Sequence, residues 1–300
     1  MEKRNCKNNN MSISDKFSAF CSNLRMSTFT VSNVRTRYHS ITKRLNKDFR
    51  NIDNDYLNSL YVGSYGRGTA IHVSDIDMLY ILPWEYYTKY NSYVGNGQSA
   101  LLQAVKDSIK QTYPVTYISG DGQVVKVCFS DDVEFEVVPC FEYSDGSFCY
   151  PDTHNGGSWK TTDPRPEINT INTWNNITNK NLKRLCRMLR AWKDNCNVPM
   201  GGLLIDTFAY RFLKDWEHYN KSFLYYDWMT RDFFKYLSEQ NDEQSYWIAV
   251  GSGQYIYPKG KFTAKAKTAY NNALKAIEKE DKGYSYTAND YWRAIYGTKF

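Results

Sequence analysis

The chain has 300 residues, with 38 Lys and Arg against 32 Asp and Glu, for a net charge of +6. That length is ample for a substantial core, and no apolar run approaches the roughly 20 residues a membrane span needs, which excludes a membrane-embedded reading. The charge is too mild to favour a nucleic-acid surface over a nucleotide site. Seven cysteines (6, 21, 128, 140, 149, 186, 196) form no Cys-x-x-Cys pair, and with four scattered histidines they make no zinc pattern. Their odd number, with no leader-like segment, predicts a reducing, cytoplasmic setting.

In chain order, residues 1–11 are polar and read as frayed. Ser12 to Asp15 reads as a helix cap. From Phe17 to about Phe49 there is no proline or glycine, and Phe17, Phe20, Leu24, Val34, Tyr38, Ile41, Leu45 and Phe49 recur at helical spacing. The spacing predicts a short and a long helix broken near residues 26–30. Arg35, Arg37, Lys43, Arg44 and Arg50 read as a solvated face.

Tyr61 to Pro83, YVGSYGRGTAIHVSDIDMLYILP, carries the chemistry. A short apolar run ends in the Gly63-Ser64 turn. Gly66 and Gly68 keep side chains away from whatever the turn faces, so a phosphate could approach the backbone. Arg67 adds a positive charge nearby. Asp75 to Leu82 reads as a buried strand. Strand side chains alternate, so Asp75 and Asp77 share one face while Ile76 enters the core. Two adjacent carboxylates repel unless a cation joins them, and hard oxygen ligands suit Mg²⁺ shared with substrate phosphates.

Further on, residues 86–96 read as a tyrosine-rich connection and Ser99 to Thr112 as a helix. Strands are predicted at 115–118 and 124–129 around a Gly120-Asp121-Gly122 turn. Val133 to Phe141, VEFEVVPCF, is a third strand with Glu134 and Glu136 on one face. Shorter strands at 140–143 and 147–150 flank an Asp145-Gly146 turn.

Gly63-Ser64 followed by Asp75-x-Asp77 in an apolar strand resembles the signature of polymerase-β-like nucleotidyltransferases. The VEFEVVPCF strand is similar to the third-acid strand of the branch containing cyclic GMP-AMP synthase and oligoadenylate synthetase. The resemblance implies Asp75, Asp77 and Glu136 as catalytic and metal residues, Glu136 standing where relatives usually have Asp and Glu134 being the alternative. It also implies Gly63, Ser64, Arg67 and Thr69 at the nucleotide.

After Tyr150 the composition becomes loop-like through residues 151–172, then helical to the end. The expected division is a catalytic lobe over residues 1–160, with an N-terminal spine helix, and a helical lobe over 161–300. Thr178 to Asn195 reads as an amphipathic helix with Leu182, Leu185, Leu189 and Trp192 on one face and a basic stripe beside it. It resembles the first helix of the second lobe in that branch, which implies phosphate contacts from Lys183, Arg187 and Arg190. Relatives often carry a phosphate-contacting Ser near the next helix start; Gly201 and Gly202 stand there instead. Residues 223–240 read as an aromatic packing helix, and the second Gly-Ser, at 251–252, as a structural loop. Residues 264–279 read as an alanine-rich helix.

The ending DYWRAIYGTKF resembles the close of bacterial SMODS-type synthases, and the chain is identified as similar to the cGAS/DncV-like nucleotidyltransferases. That implies an α/β (α+β) fold with a polymerase-β-like core sheet. It implies synthesis of a cyclic di- or trinucleotide in anti-phage signalling, two Mg²⁺ ions with Mn²⁺ as a substitute, NTP substrates including ATP, and partner proteins from an anti-phage operon. No nucleic-acid activator is expected. The residues by themselves reach only nucleotidyl transfer, a chemistry shared with linear oligonucleotide synthetases and with single-nucleotide transferases acting on protein or RNA.

Overall fold

A computed structural model describes residues 11–73 and 75–300; the polar residues 1–10 lie outside it. The fold is mixed α/β. The cap expected at Ser12 forms: its hydroxyl accepts from the Asp15 amide, and Asp15 reaches back to the Ser12 backbone, starting α1 (Ile13–Asn23). The break falls at residues 24–27, a little before the expected 26–30, and α2 (Thr28–Arg50) follows, capped by Ser27.

Next come β1 (Ser59–Tyr61), the one-turn α3 (Gly63–Gly66), β2 (Ile76–Ile81), α4 (Trp84–Asn91) and α5 (Gly97–Thr112). Then follow β3 (Tyr117–Asp121), β4 (Val124–Cys128), β5 (Glu134–Glu142), β6 (Phe148–Asp152), β7 (Ser158–Thr162) and α6 (Arg165–Ile177). The chain ends in α7 (Asn181–Asn195), α8 (Gly202–Asp215), α9 (Tyr226–Ser238), the small β8 (Trp247–Ile248) and β9 (Tyr255–Ile256) pair, α10 (Thr263–Asp281) and α11 (Ser285–Tyr296).

The chain forms two compact units. The sheet unit comprises residues 26–172 with the short insert 250–252. Its strand order is β1-β2-β5-β4-β3, with β6 on β5 and β7 on β6. Among the described strands of this sheet only β2 and β5 run parallel; the other pairs are antiparallel. Ile76, Met78 and Tyr80 of β2 join Phe135 and Val137 of β5 on one face, covered by Val34, Ile41 and Leu45 of α2 and by Leu101, Val105 and Ile109 of α5. With that face committed to packing, alternation sends Asp77 and Glu136 to the other. Pro139 falls between the end of the β4 ladder at Val137 and the start of the β6 ladder at Phe141, so its missing N–H costs no pairing on that edge.

Two expectations need correction. The tyrosine-rich connection is the helix α4, because Tyr86 and Tyr87 find ring partners in Phe49, at 5.2 Å, and Phe141, at 5.5 Å. The loop-like stretch after Tyr150 contains β7 and the start of α6. β7 has a polar, largely exposed composition because it is an edge strand with one neighbour.

The helical unit comprises residues up to 25 together with 173–249 and 253–300. α1 belongs here, so residues 1–160 do not form one contiguous body. Phe17 packs edge-on against Trp292 and Phe300, both at 5.2 Å between ring centres, and Phe20 lies 4.7 Å from Tyr296. Trp192 of α7 meets Phe234 of α9 at 4.9 Å. Ala266, Ala269, Ala273 and Ala276 form the buried face of α10.

Candidate active site

β1 delivers the chain to the Gly63 turn, and β2 returns directly beside it: the Val62 amide donates to the Asp77 carbonyl at 3.0 Å. Gly63 has φ +58, and a Cβ there would lie 1.8 Å from Asp77 Oδ2. Only glycine satisfies both conditions. The amides of Gly66, Arg67, Gly68 and Thr69 bond back to the carbonyls of Val62, Gly63, Tyr65 and Ser64, which closes the turn on itself.

The parallel register places Asp77 directly opposite Glu136, and Asp75 lies exposed one residue before β2 begins. Burial, then the charges of Glu136 and Asp75, push the Asp77 carboxyl up to about 7, with Arg67 opposing. A carboxyl so crowded is one that a cation would restore to its charged form. Of the two β5 acids, Glu136 is the one acting on Asp77. Glu134 accepts from the Cys128 thiol at 3.2 Å.

Among the described residues no three acid, His or Cys side chains already converge into a cage for an ion. The donor set still fits Mg²⁺, which usually takes one or two carboxylates and completes its shell with water and substrate phosphate. Lys126 on β4 stands opposite Glu136, its ammonium 3.4 Å from Oε1 and 3.1 Å from Asp121. Nothing local in the sequence marks Lys126; register alone puts it there.

The remaining expected residues have definite places. Arg67 is buried and ion-paired with Glu167 at 3.1 Å, and Ser252 donates to the other Glu167 oxygen at 2.9 Å. Thr69 is fully buried, its hydroxyl donating to the Ser64 carbonyl at 3.3 Å. In the helical unit, Arg190 forms a buried bidentate pair with Asp206, at 2.6 and 3.0 Å, which ties α7 to α8. Lys183 and Arg187 instead line a cavity between α1 and α7. Glu167 and Asp206 escaped the sequence reading because their partners are distant along the chain or carry no motif, whereas Ser252 was read only as part of a structural loop, without its partner.

The fold and the acid-bearing sheet define a nucleotidyltransferase of the cGAS/DncV-like class. A family model for the Second Messenger Oligonucleotide or Dinucleotide Synthetase domain (SMODS) matches residues 11–175, more than half of the chain, and the chain belongs to that family.

A probable cyclic nucleotide synthase of Bacillus cereus (strain VD146) is 24% identical over 178 residues, covering 56% of this chain and 52% of that protein. The match thus spans about half the length of the curated relative. E. coli MS115-1 CdnC, solved in complex with HORMA-deltaN, superposes with a TM-score of 0.65 at 14% identity, covering 95% of this chain and 97% of that one. Vibrio cholerae DncV, a cyclic AMP-GMP synthase solved with the linear intermediate 5′ pppA(3′,5′)pG, gives 0.63 at 13% identity, covering 96% and 86%. At these identities the solved structures establish the shared fold. No helix among the described residues is long and apolar enough to cross a membrane, and the six described cysteines are free thiols.

Proposed function

We propose that the chain is a divalent-metal-dependent synthase that joins NTPs, ATP among them, into a cyclic di- or trinucleotide second messenger with release of pyrophosphate. In this reading it works in the bacterial cytoplasm in anti-phage (CBASS) signalling, alongside regulatory or effector proteins of the same operon. The observation that carries the reading is the apposition of Asp77 and Glu136 across two parallel strands, with Asp75 beside them and the Gly63 turn packed on Asp77.

In each transfer a ribose hydroxyl oxygen of one nucleotide bonds to the α-phosphorus of another, and the bond to the β-phosphate breaks. Asp75, Asp77 and Glu136 would hold the two Mg²⁺ ions, or Mn²⁺ in their place, which when bound acidify the attacking hydroxyl and neutralise the donor phosphates. The backbone of Gly63 and Ser64 is assigned to the donor's phosphates, with Gly63's missing Cβ letting Asp77 lie against the turn. Arg67 and Thr69 hold the turn in shape from beneath. Lys183, Arg187 and Arg190 are assigned to the donor's triphosphate, Arg190 from its pair with Asp206. Catalysis on this reading is positioning and charge neutralisation. A second transfer within the linear product closes the ring, a step supported by the family and by the intermediate bound to DncV.

The test is incubation with all four NTPs and Mg²⁺, each α-³²P-labelled in turn, followed by phosphatase, chromatography and mass spectrometry. A phosphatase-resistant small product, absent from the Asp75→Ala/Asp77→Ala protein, is expected. A phosphatase-sensitive product would indicate a linear synthetase. Label on a macromolecule would indicate single-nucleotide transfer and overturn the reading.

A further inference from the structure

The row of acids on the sheet continues past Glu136 into a cation. β5 pairs with β2 on one side and with β4 on the other, so Asp77, Glu136 and Lys126 stand in one line across three strands. Neighbouring strands lie about 4.7–4.9 Å apart, and paired residues point to the same face. Lys126 cannot turn out of this line. Val125 and Val127 beside it, and Phe135 and Val137 beside Glu136, are fully buried on the opposite face. A slip of one residue would drive the ammonium into that core.

The ammonium has two carboxylates in reach. It lies 3.4 Å from Glu136 Oε1 and 3.1 Å from Oδ2 of Asp121, the last residue of β3. The two partners differ in kind. The Asp121 side chain is 63% exposed, on a strand at the edge of the sheet, whereas that of Glu136 is 27% exposed and adjoins Asp77.

A divalent ion held by Asp77 and Glu136 draws on the same negative charge that the ammonium uses. Both are cations attracted to Glu136, so the binding of one opposes the binding of the other. Between partly covered groups that opposition is screened less than between exposed ones. A lysine suits this arrangement, because its ammonium is a compact charge on a flexible stem, with no planar fork to hold it to one carboxylate. Moving wholly onto Asp121 gives up its longer contact and keeps its shorter one.

We propose that Lys126 is a tethered counter-ion that competes with the divalent metal for Glu136, and that Asp121 is the seat to which it yields. The proposal rests on the reading of Asp77 and Glu136 as metal ligands. Its consequence is that the acid row holds a divalent ion weakly until further negative charge arrives with the ion. Nucleotide phosphates carry that charge, so Lys126 links capture of the metal to capture of the nucleotide.

The experiment is Mn²⁺ binding to the full chain, without nucleotide, read from the electron paramagnetic resonance signal of the free ion. Lys126→Met keeps an unbranched stem and removes the charge. It should tighten binding about three- to ten-fold, the scale of one partly exposed charge acting on a doubly charged ion. Lys126→Arg, which keeps the charge, should not tighten it. Asp121→Asn leaves the ammonium to Glu136 alone and should loosen binding about three-fold. Asp121 is exposed, so this arm stands whether or not Lys126→Met folds. In the Lys126→Met background the Asp121→Asn effect should largely vanish, because it acts through Lys126.

Weaker binding in Lys126→Met would make Lys126 an orienting partner of Glu136 and overturn the proposal. Unchanged binding in that variant, an Asp121→Asn effect that persists in full without Lys126, or a wild-type chain that binds no Mn²⁺ would overturn it too. The product assay keeps the two readings apart. The expected Mn²⁺ pattern without any product refutes synthesis alone, and product formation with a Mn²⁺ affinity indifferent to Lys126 refutes the competition alone.

Discussion

Gly63 and Asp77 are in a contact that admits no side chain: a Cβ on Gly63 would stand 1.8 Å from Asp77 Oδ2, and the residue sits at φ +58. The relationship couples the turn proposed to receive phosphates to the carboxylate proposed to hold metal. Gly63→Ala must either push Asp77 aside or open the turn. Positive φ alone costs an alanine about 1–3 kcal/mol. We expect a fall in the unfolding midpoint of that order and loss of nearly all turnover. A Gly63→Ala protein with wild-type product formation would refute the coupling.

The Asp77 carboxyl, raised to about 7 in the fold, gives a pH signature in metal-free protein. Unfolded, the group titrates near 3.9. Between about pH 4 and about pH 7 the folded state therefore binds more protons than the unfolded state, and stability falls as pH rises through that window. Asp77→Asn removes the penalty. In chelator at pH 8 it should be more stable than wild type by on the order of 2 kcal/mol, allowing for partial solvent screening. At pH 4 the two should converge, and Asp77→Asn should be inactive at every pH. Denaturant melts at both pH values measure this, and parallel wild-type and variant profiles would contradict it.

The two β5 acids make opposite predictions. Glu136 faces Asp77 across the ladder, whereas Glu134 faces Cys128 of β4. Glu136→Gln should lower turnover on the order of 100-fold or more. Glu134→Gln should retain most of it, with little change in stability. A reversal of these outcomes in the product assay would move the third ligand to Glu134.

Arg67 and Glu167 form a buried pair, and Ser252 bonds to the same carboxylate. Removing one partner of such a pair strands a charge. Glu167→Ala should cost about 3–5 kcal/mol by chemical denaturation, and Ser252→Ala about 1 kcal/mol. Glu167→Gln, which keeps an acceptor for Ser252, should fall between them. Equal stability of Glu167→Ala and wild type would show that the pair contributes nothing to the fold.

Much of the molecule was legible from local pattern. The acid strand, the glycine turn, the third-acid strand and the capped first helix are each specified within a dozen residues, by alternation, helical spacing or a cap. The α4 helix and β7 were missed for a local reason as well. A tyrosine-rich amphipathic turn and a polar edge strand both resemble loop in composition.

The acid motif of the sheet and the family resemblance were already written in the linear chain, because the spacing of Ser64, Asp75 and Asp77 is a property of a continuous segment. Only the tertiary structure decided that Glu136 rather than Glu134 faces Asp77, since strand register depends on how whole apolar faces pack. It also placed α1 among the C-terminal helices, through Phe17 and Phe20 against Trp292, Tyr296 and Phe300. The pairing of Ser252 with Glu167, 85 residues away, has the same origin. Burial brings together side chains whose separation in the chain leaves no periodic trace.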